Sequence, residues 1–264
     1  MRPVLFSVLG VPVQSYGVSK ALAALVAAWL LGRAFANRGL DRDHAYSLTF
    51  AAAIWGFLGG KLYYLAEHAR TLTWHDLGGM GFTWYGGFLA GTTAFVVLAR
   101  RRGLPVVVVT GLAVAPLSVA YGIGRLGCLL AGDGTYGRLS GLPWAVAMPN
   151  GVVPTTVAVQ PTPVYEALAA FALATLLWRL QRDWNPTLVV AVYLIGTGTA
   201  RLLVEMLRTN KVAIWGLTQP QVWSLLLMIS GAALLAVARR TGWRSNVLPV
   251  ETARRTATSV EPAV

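Results

Sequence analysis

Seven apolar stretches, at roughly 16–36, 46–66, 84–100, 105–127, 163–180, 187–207 and 219–238, leave this chain few ways to fold in water. A helix rises about 1.5 Å per residue, so about 20 apolar residues cross a hydrocarbon layer of about 30 Å. Inside that layer every backbone donor and acceptor has to find a partner in protein, and a helix supplies those partners within the segment itself. The spacing predicts an all-α polytopic membrane protein with about seven transmembrane helices. Composition agrees, because 56% of the residues are hydrophobic and only 12% are charged, against about a quarter charged in soluble domains. The third stretch reaches the fourth across Arg100, Arg101, Arg102 and Gly103, with Pro105 suited to start a helix, which predicts a tight hairpin of those two helices.

The net charge of +12 would suit a nucleic-acid partner, but the placement of the charges argues against one. Arg33, Arg38 and Arg42 flank the first loop, Arg100 to Arg102 the third, Arg179 and Arg182 the fifth, and Arg239, Arg240, Arg244, Arg254 and Arg255 follow the last stretch. The other side carries only Arg2, Arg70, Arg138, Arg208 and Lys211. Lys and Arg accumulate on cytoplasmic loops, so this asymmetry predicts a cytoplasmic C-terminus and an outer N-terminus. The clusters are expected to meet lipid headgroups rather than nucleic acid. Residues 1–244 are expected to form a single integral membrane domain, followed by a disordered cytoplasmic tail at 245–264 rich in Ser, Thr, Glu and Pro. The long loop at about 128–162 then lies outside, and its GVVPTTVAVQPTP stretch suits a short extended segment. Pro12, Gln14, Ser15 and Tyr16 interrupt the first apolar run, so no cleavable leader is expected.

Ionisable side chains inside the apolar stretches are costly, by about 2.5–3.5 kcal/mol each on insertion scales, and point to function. Lys20, Lys61, Arg125, Glu166, Arg201 and Glu205 are such residues. Arg201 and Glu205 stand four apart on one helix face, where they can pair. The stems of Lys20 and Lys61 are long enough to carry their charges to a span end. Four cations against two carboxylates leave two formal positive charges in the spans. That excess predicts a bound anion, and the anion most abundant in a membrane is a phospholipid phosphate, which the planar guanidinium fork grips in pairs of hydrogen bonds.

The stretch GGMGFTWYGGFLAG, residues 78 to 91, carries six glycines and allows close approach of a neighbouring helix or of a ligand. Trp74, Trp84, Trp144, Trp215 and Trp223 suit an interfacial belt. His44, His68 and His75 show no ligand spacing with the lone Cys128, so no metal site is expected. That single cysteine also rules out an intrachain disulfide and reads as a small buried hydrophobe, with a nucleophile as the alternative. Phosphate-binding glycine loops and serine nucleophile elbows are missing from the sequence.

The segment GRLGCLLAGDGTYG, residues 124 to 137, resembles the signature of the prolipoprotein diacylglyceryl transferases, approximately G-R-x-G-N-x-x-N-x-E-x-x-G. Arg125 falls on the signature arginine. SYG at Ser15 to Gly17, GGMGFTWYGG at Gly78 to Gly87, PTPVYEA at Pro161 to Ala167, RLLVEMLR at Arg201 to Arg208 and GLTQPQVWSL from Gly216 follow in the family's order. The resemblance implies an enzyme of the bacterial inner membrane. It would move the diacylglyceryl group of phosphatidylglycerol to the lipobox cysteine thiol of a prolipoprotein, forming a thioether and releasing glycerol phosphate, without metal or cofactor.

By the same resemblance, Arg125 and Arg201 would hold the phosphate, Glu205 would orient Arg201, and Tyr16 and Lys61 would border the phosphatidylglycerol site. Gly137 would permit a close turn, and Asp133 would take the place of the signature glutamate. The departures cluster at the chemistry. Tyr85 stands where the family usually has His, Cys128 and Ala131 replace the two signature Asn, Asp133 replaces Glu with one extra residue before Gly137, and Gln160 replaces a common His. Tyr85 is thereby the candidate base, although a tyrosine of ordinary pKa about 10 needs nearby cations to serve near neutrality. The alternatives are a diverged paralogue with another acceptor, and a lipid or anion transporter.

Overall fold

The computed structural model describes residues 1–74 and 82–241. His75, the glycines at 78–81 and the tail at 245–264 lie outside the described residues. The helices are α1 (Ser15–Ala36), α2 (Arg42–Glu67), α3 (Trp84–Arg101), α4 (Val106–Ala131), α5 (Thr162–Asp183), α6 (Pro186–Glu205) and α7 (Gln219–Thr241). They fall where the seven apolar stretches lie. Five of them, α1, α4, α5, α6 and α7, are long and apolar enough to cross a membrane. The chain is a mostly helical membrane protein, and its outward-facing side chains are apolar, as at Leu25, Trp29, Phe57 and Ile229.

The expectation of an all-α chain is corrected in one respect, because among the described residues three short antiparallel hairpins connect or precede the helices. They pair β1 (Val4–Val8) with β2 (Val11–Gln14), β3 (Val146–Met148) with β4 (Thr155–Val159), and β5 (Val212–Ile214) with β6 (Leu217–Thr218). β4 is the extended segment expected within GVVPTTVAVQPTP. The first hairpin turns through Leu9 and Gly10, both at positive φ (49° and 82°), the combination that matches the twist of a two-residue hairpin loop.

Close contacts divide the chain into two compact units, residues 27–109 and residues 1–26 with 110 onward. In the 27–109 unit, α2 and α3 pack backbone to backbone. A Cβ on Gly59 would stand 2.7 Å from the Gly86 carbonyl oxygen and 2.3 Å from the Ala90 Cβ, and a Cβ on Gly86 would stand 2.4 Å from the Gly59 oxygen. These are distances no side chain tolerates, so the glycine-rich stretch works here as a helix-packing surface. Gly59→Ala is expected to cost roughly 1–3 kcal/mol by overpacking, seen as a lower melting temperature of the detergent-solubilised protein. Unchanged melting would show that the two helices are not locked at this point. α3 packs along α2, and all but the first turn of α4 belongs to the other unit.

In that other unit, Val114, Ala115, Leu177 and Val189 form a core between α4, α5 and α6. Pro116 interrupts α4. Having no N–H, it cannot serve the Leu112 carbonyl four residues earlier. The buried Gln181 amide of α5 does so instead, donating to the Leu112 oxygen at 3.2 Å and to that of Gly111 at 2.7 Å. α6 and α7 meet closely where Gly198 faces the Ser224 carbonyl and Gly231 that of Ala191.

Candidate active site

The 1–26 and 110-onward unit gathers its charges at the end of the bundle where α4 and α6 finish and α5 starts. Tyr121 and Arg125, four apart, share one face of α4. Arg125 Nε donates to the Tyr121 hydroxyl at 3.0 Å, and that hydroxyl donates to Glu166 Oε2 at 2.5 Å. Glu166 sits in the first turns of α5, where the helix dipole favours a negative charge. Its side chain is only 2% exposed and pairs with both Arg125 and Arg201. Glu166 therefore ties three helices together.

Arg201 also pairs with Glu205 one turn later on α6, Nη2 to Oε2 at 2.9 Å, which is the pairing expected from their spacing. The fully buried Glu205 receives Asn210 Nδ2 at 2.7 Å and the Thr218 hydroxyl at 2.8 Å on its other oxygen. The β5–β6 hairpin thus delivers the donor that completes the carboxylate. Arg208, just past α6, lies 3.8 Å from Glu166 and 3.9 Å from Glu205, and its Nη1 donates to the Thr135 carbonyl at 2.7 Å. Burial, and after it the neighbouring Arg201 cation, lower the Arg208 pKa from its ordinary value. Three guanidiniums face two carboxylates, leaving one formal positive charge in a largely buried place. Such an excess favours an anion. Arg125 makes its protein hydrogen bond among the described residues through Nε, which keeps the paired Nη edge of the fork for a ligand.

The loop after α4 closes over this cluster. Asp133 accepts from the Thr135 backbone N–H at 3.1 Å and from its hydroxyl at 2.6 Å, shaping the turn that presents the Thr135 carbonyl to Arg208. Cys128 is buried as expected. Gly137 is needed for a reason other than the turn. A Cβ there would stand 2.5 Å from the Leu207 carbonyl oxygen and 2.9 Å from both Gln160 and Thr162, at the point where the Arg138 N–H donates to that same oxygen at 2.8 Å. Gly137→Ala is expected to push the loop off the end of α6, costing roughly 1–3 kcal/mol and most of the activity, measured by melting and turnover in parallel. Full activity would show that the loop can shift without disturbing Arg208.

Tyr16, in the first turn of α1, lies with its ring 5.0 Å from Lys20 Nζ. Both are within electrostatic reach of Arg125, Cys128 and Asp133. Lys20 itself rests against Gly124 of α4, which has no side chain to exclude it. The structure thus brings Arg125, Arg201, Glu205, Asp133, Gly137 and Tyr16 into one unit. Lys61 and Tyr85 belong to the other. Lys61 there lies over the rings of Tyr64 and Phe82, and Tyr85 occupies the first turn of α3. Sequence reasoning singled out Glu166 as a costly intramembrane charge without giving it a role in the site, and left Tyr121 and Arg208 out. Their signals were the four-residue spacing from Tyr121 to Arg125, the seven-residue spacing from Arg201 to Arg208, and the cost of an intramembrane Glu166.

Among known proteins, the chain is 32% identical over 247 residues to a phosphatidylglycerol–prolipoprotein diacylglyceryl transferase of Clostridium tetani, covering 90% of this chain and 98% of that one. It is 30% identical to the enzyme of that name from Vibrio vulnificus, over 91% and 92% of the two chains. With that of Methylobacillus flagellatus the identity is 32%, over 85% and 92%. The family model for prolipoprotein diacylglyceryl transferase matches residues 3–237. A match of that extent takes in α1 to α6, the buried Arg–Glu cluster and most of α7, and the chain therefore belongs to the prolipoprotein diacylglyceryl transferase family.

Proposed function

We propose that the protein transfers the diacylglyceryl group of phosphatidylglycerol to the cysteine thiol of a prolipoprotein lipobox. The observation that carries this reading is the buried cluster of Arg125, Arg201 and Arg208 against Glu166 and Glu205, one positive charge in excess. The phospholipid phosphate supplies the missing negative charge. In the reaction the thiol sulfur bonds to the glyceryl carbon, the bond from that carbon to the phosphate oxygen breaks, and glycerol phosphate departs with the electron pair. Negative charge grows on the departing oxygen. Arg125 and Arg201 stabilise it most in the transition state, which is where such stabilisation accelerates the step.

Glu205 fixes Arg201, and Glu166 fixes Arg125 and Arg201 together, so neither fork has to be ordered when lipid binds. Tyr16 borders the headgroup, Lys61 adds positive charge on the approach of the lipid, and Asp133 and Gly137 hold the loop over the site. Tyr85, in its ionised phenolate form, takes the thiol proton in place of the family's usual His and becomes the neutral phenol. The protein lies in the bacterial inner membrane as a multi-pass chain of seven spans, with its N-terminus outside and its C-terminus in the cytoplasm. α2 and α3 supply the two spans beyond the five most apolar helices, a reading supported by the exposed apolar face of α2 at Ile54, Phe57 and Leu62.

The test is to incubate the purified protein in phosphatidylglycerol bilayers with a lipobox peptide and to follow peptide mass and released glycerol phosphate together. Equal amounts of diacylglyceryl peptide and glycerol phosphate, with neither formed from a peptide carrying serine for cysteine, are expected. Glycerol phosphate released without a peptide adduct would point instead to a different acceptor.

A further inference from the structure

The α2–α3 pair carries a groove of about 630 Å³ whose residues all come from these two helices and which the buried cluster does not use. Ala51 and Trp55 of α2 and Leu89, Ala90 and Ala94 of α3 line it, and Arg101 stands at one end. The groove follows from the close approach at Gly59 and Gly86. Alanines beside a glycine contact leave a floor without bulk, while the half-exposed Trp55 and Leu89 stand up as walls. From Leu89 to Arg101 it runs roughly 18 Å along α3 at 1.5 Å per residue, close to the depth of one leaflet's hydrocarbon. An apolar channel one leaflet deep, ending at a cation, has the dimensions of one phospholipid chain with its phosphate.

Charge at that end favours an anionic headgroup. Arg100, Arg101 and Arg102 are consecutive at the end of α3. Arg102 is already held against the start of α2 by His44 Nδ1 at 2.9 Å and by the Ser47 hydroxyl. Arg101 forms no ion pair among the described residues, with Asp41 or Asp43 at the start of α2 or with any other carboxylate. We infer that this groove binds one acyl chain of an anionic phospholipid, with the lipid phosphate on Arg101. The inference rests on the reading of α2 and α3 as membrane spans. A zwitterionic lipid places a second cation beside the three arginines and is disfavoured there, whereas a net negative headgroup gains about what one Arg near a lipid surface contributes.

Trp55 makes the groove observable. The full-length protein is reconstituted with phospholipids brominated on the acyl chain, and the quenching due to Trp55 is taken as the difference between wild type and Trp55→Phe. Brominated phosphatidylglycerol should quench Trp55 at a roughly fivefold lower mole fraction than brominated phosphatidylcholine. Phosphatidylserine should match phosphatidylglycerol. Arg101→Gln should bring the curves together, and Ala94→Phe, which fills the floor, should weaken quenching by every lipid. Equal quenching of the wild type by anionic and zwitterionic lipids would overturn the site while leaving α2 in the bilayer. Absence of quenching by any lipid would overturn the membrane reading of α2 and α3 as well.

Discussion

Glu166→Gln should destabilise the protein by about 3–5 kcal/mol, the usual cost of leaving a buried charge without its partner. The carboxylate lies between Arg125 and Arg201, with Arg208 at 3.8 Å. Glutamine keeps the shape and still accepts from the Tyr121 hydroxyl, but three guanidiniums would then share the single charge of Glu205. Phosphatidylglycerol turnover should fall with stability. Adding an anionic lipid should recover more melting temperature in the variant than in the wild type, because its phosphate replaces part of the lost charge. A melting temperature equal to that of the wild type, read in detergent by calorimetry, would show that Glu166 does not balance these arginines.

Tyr85→Phe should lower turnover by about 100-fold or more, within the range of 10²–10⁴ that general acid–base catalysis contributes. The substitution removes only the hydroxyl, so packing at the first turn of α3 and phosphatidylglycerol binding should persist, and the loss should appear in kcat. The Tyr85→His variant, carrying the residue usual in the family, should restore turnover and move the pH profile toward neutrality. Wild-type turnover by the phenylalanine variant would assign Tyr85 to packing. The thiol would then lose its proton to solvent, leaving a thiolate that nearby cations stabilise.

Hydropathy located the helices well because the long segments are apolar all round, and it missed what apolarity does not encode. α2 reaches back to Arg42 because the Asp41 side chain accepts from the Asp43 N–H at 2.9 Å, a capping signal within a charged loop. β1–β2 and β5–β6 are too short to show alternation, although Gly10 and Gly216 sit at their turns. The α2–α3 contact was visible as glycines but not as a pairing, since the glycines that meet are far apart in sequence.

The site divided along similar lines. The Arg201–Glu205 pair is local and was readable from a spacing of four. Glu166 reaches Arg125 and Arg201 across helices, and one sequence does not state which helices adjoin. Arg208 follows the end of α6 and counts by position as a loop charge, yet the 3.8 Å approach to Glu166 makes it part of the cluster. Asp133 and Gly137 were recognised by their place in a signature. What the structure adds is their physical task, a turn anchored by Thr135 and a close approach to the Leu207 carbonyl.

Under the proposed function, the positive excess at Arg125, Arg201 and Arg208 holds the phosphate of the lipid that is transferred. The most direct measurement is the mass of a lipobox-cysteine peptide after incubation with wild-type protein and with Arg125→Ala, both reconstituted in phosphatidylglycerol bilayers. A diacylglyceryl adduct from the wild type, reduced at least 100-fold in Arg125→Ala as for loss of one donor to a developing oxyanion, is the predicted result. Equal adduct from both proteins would contradict the claim.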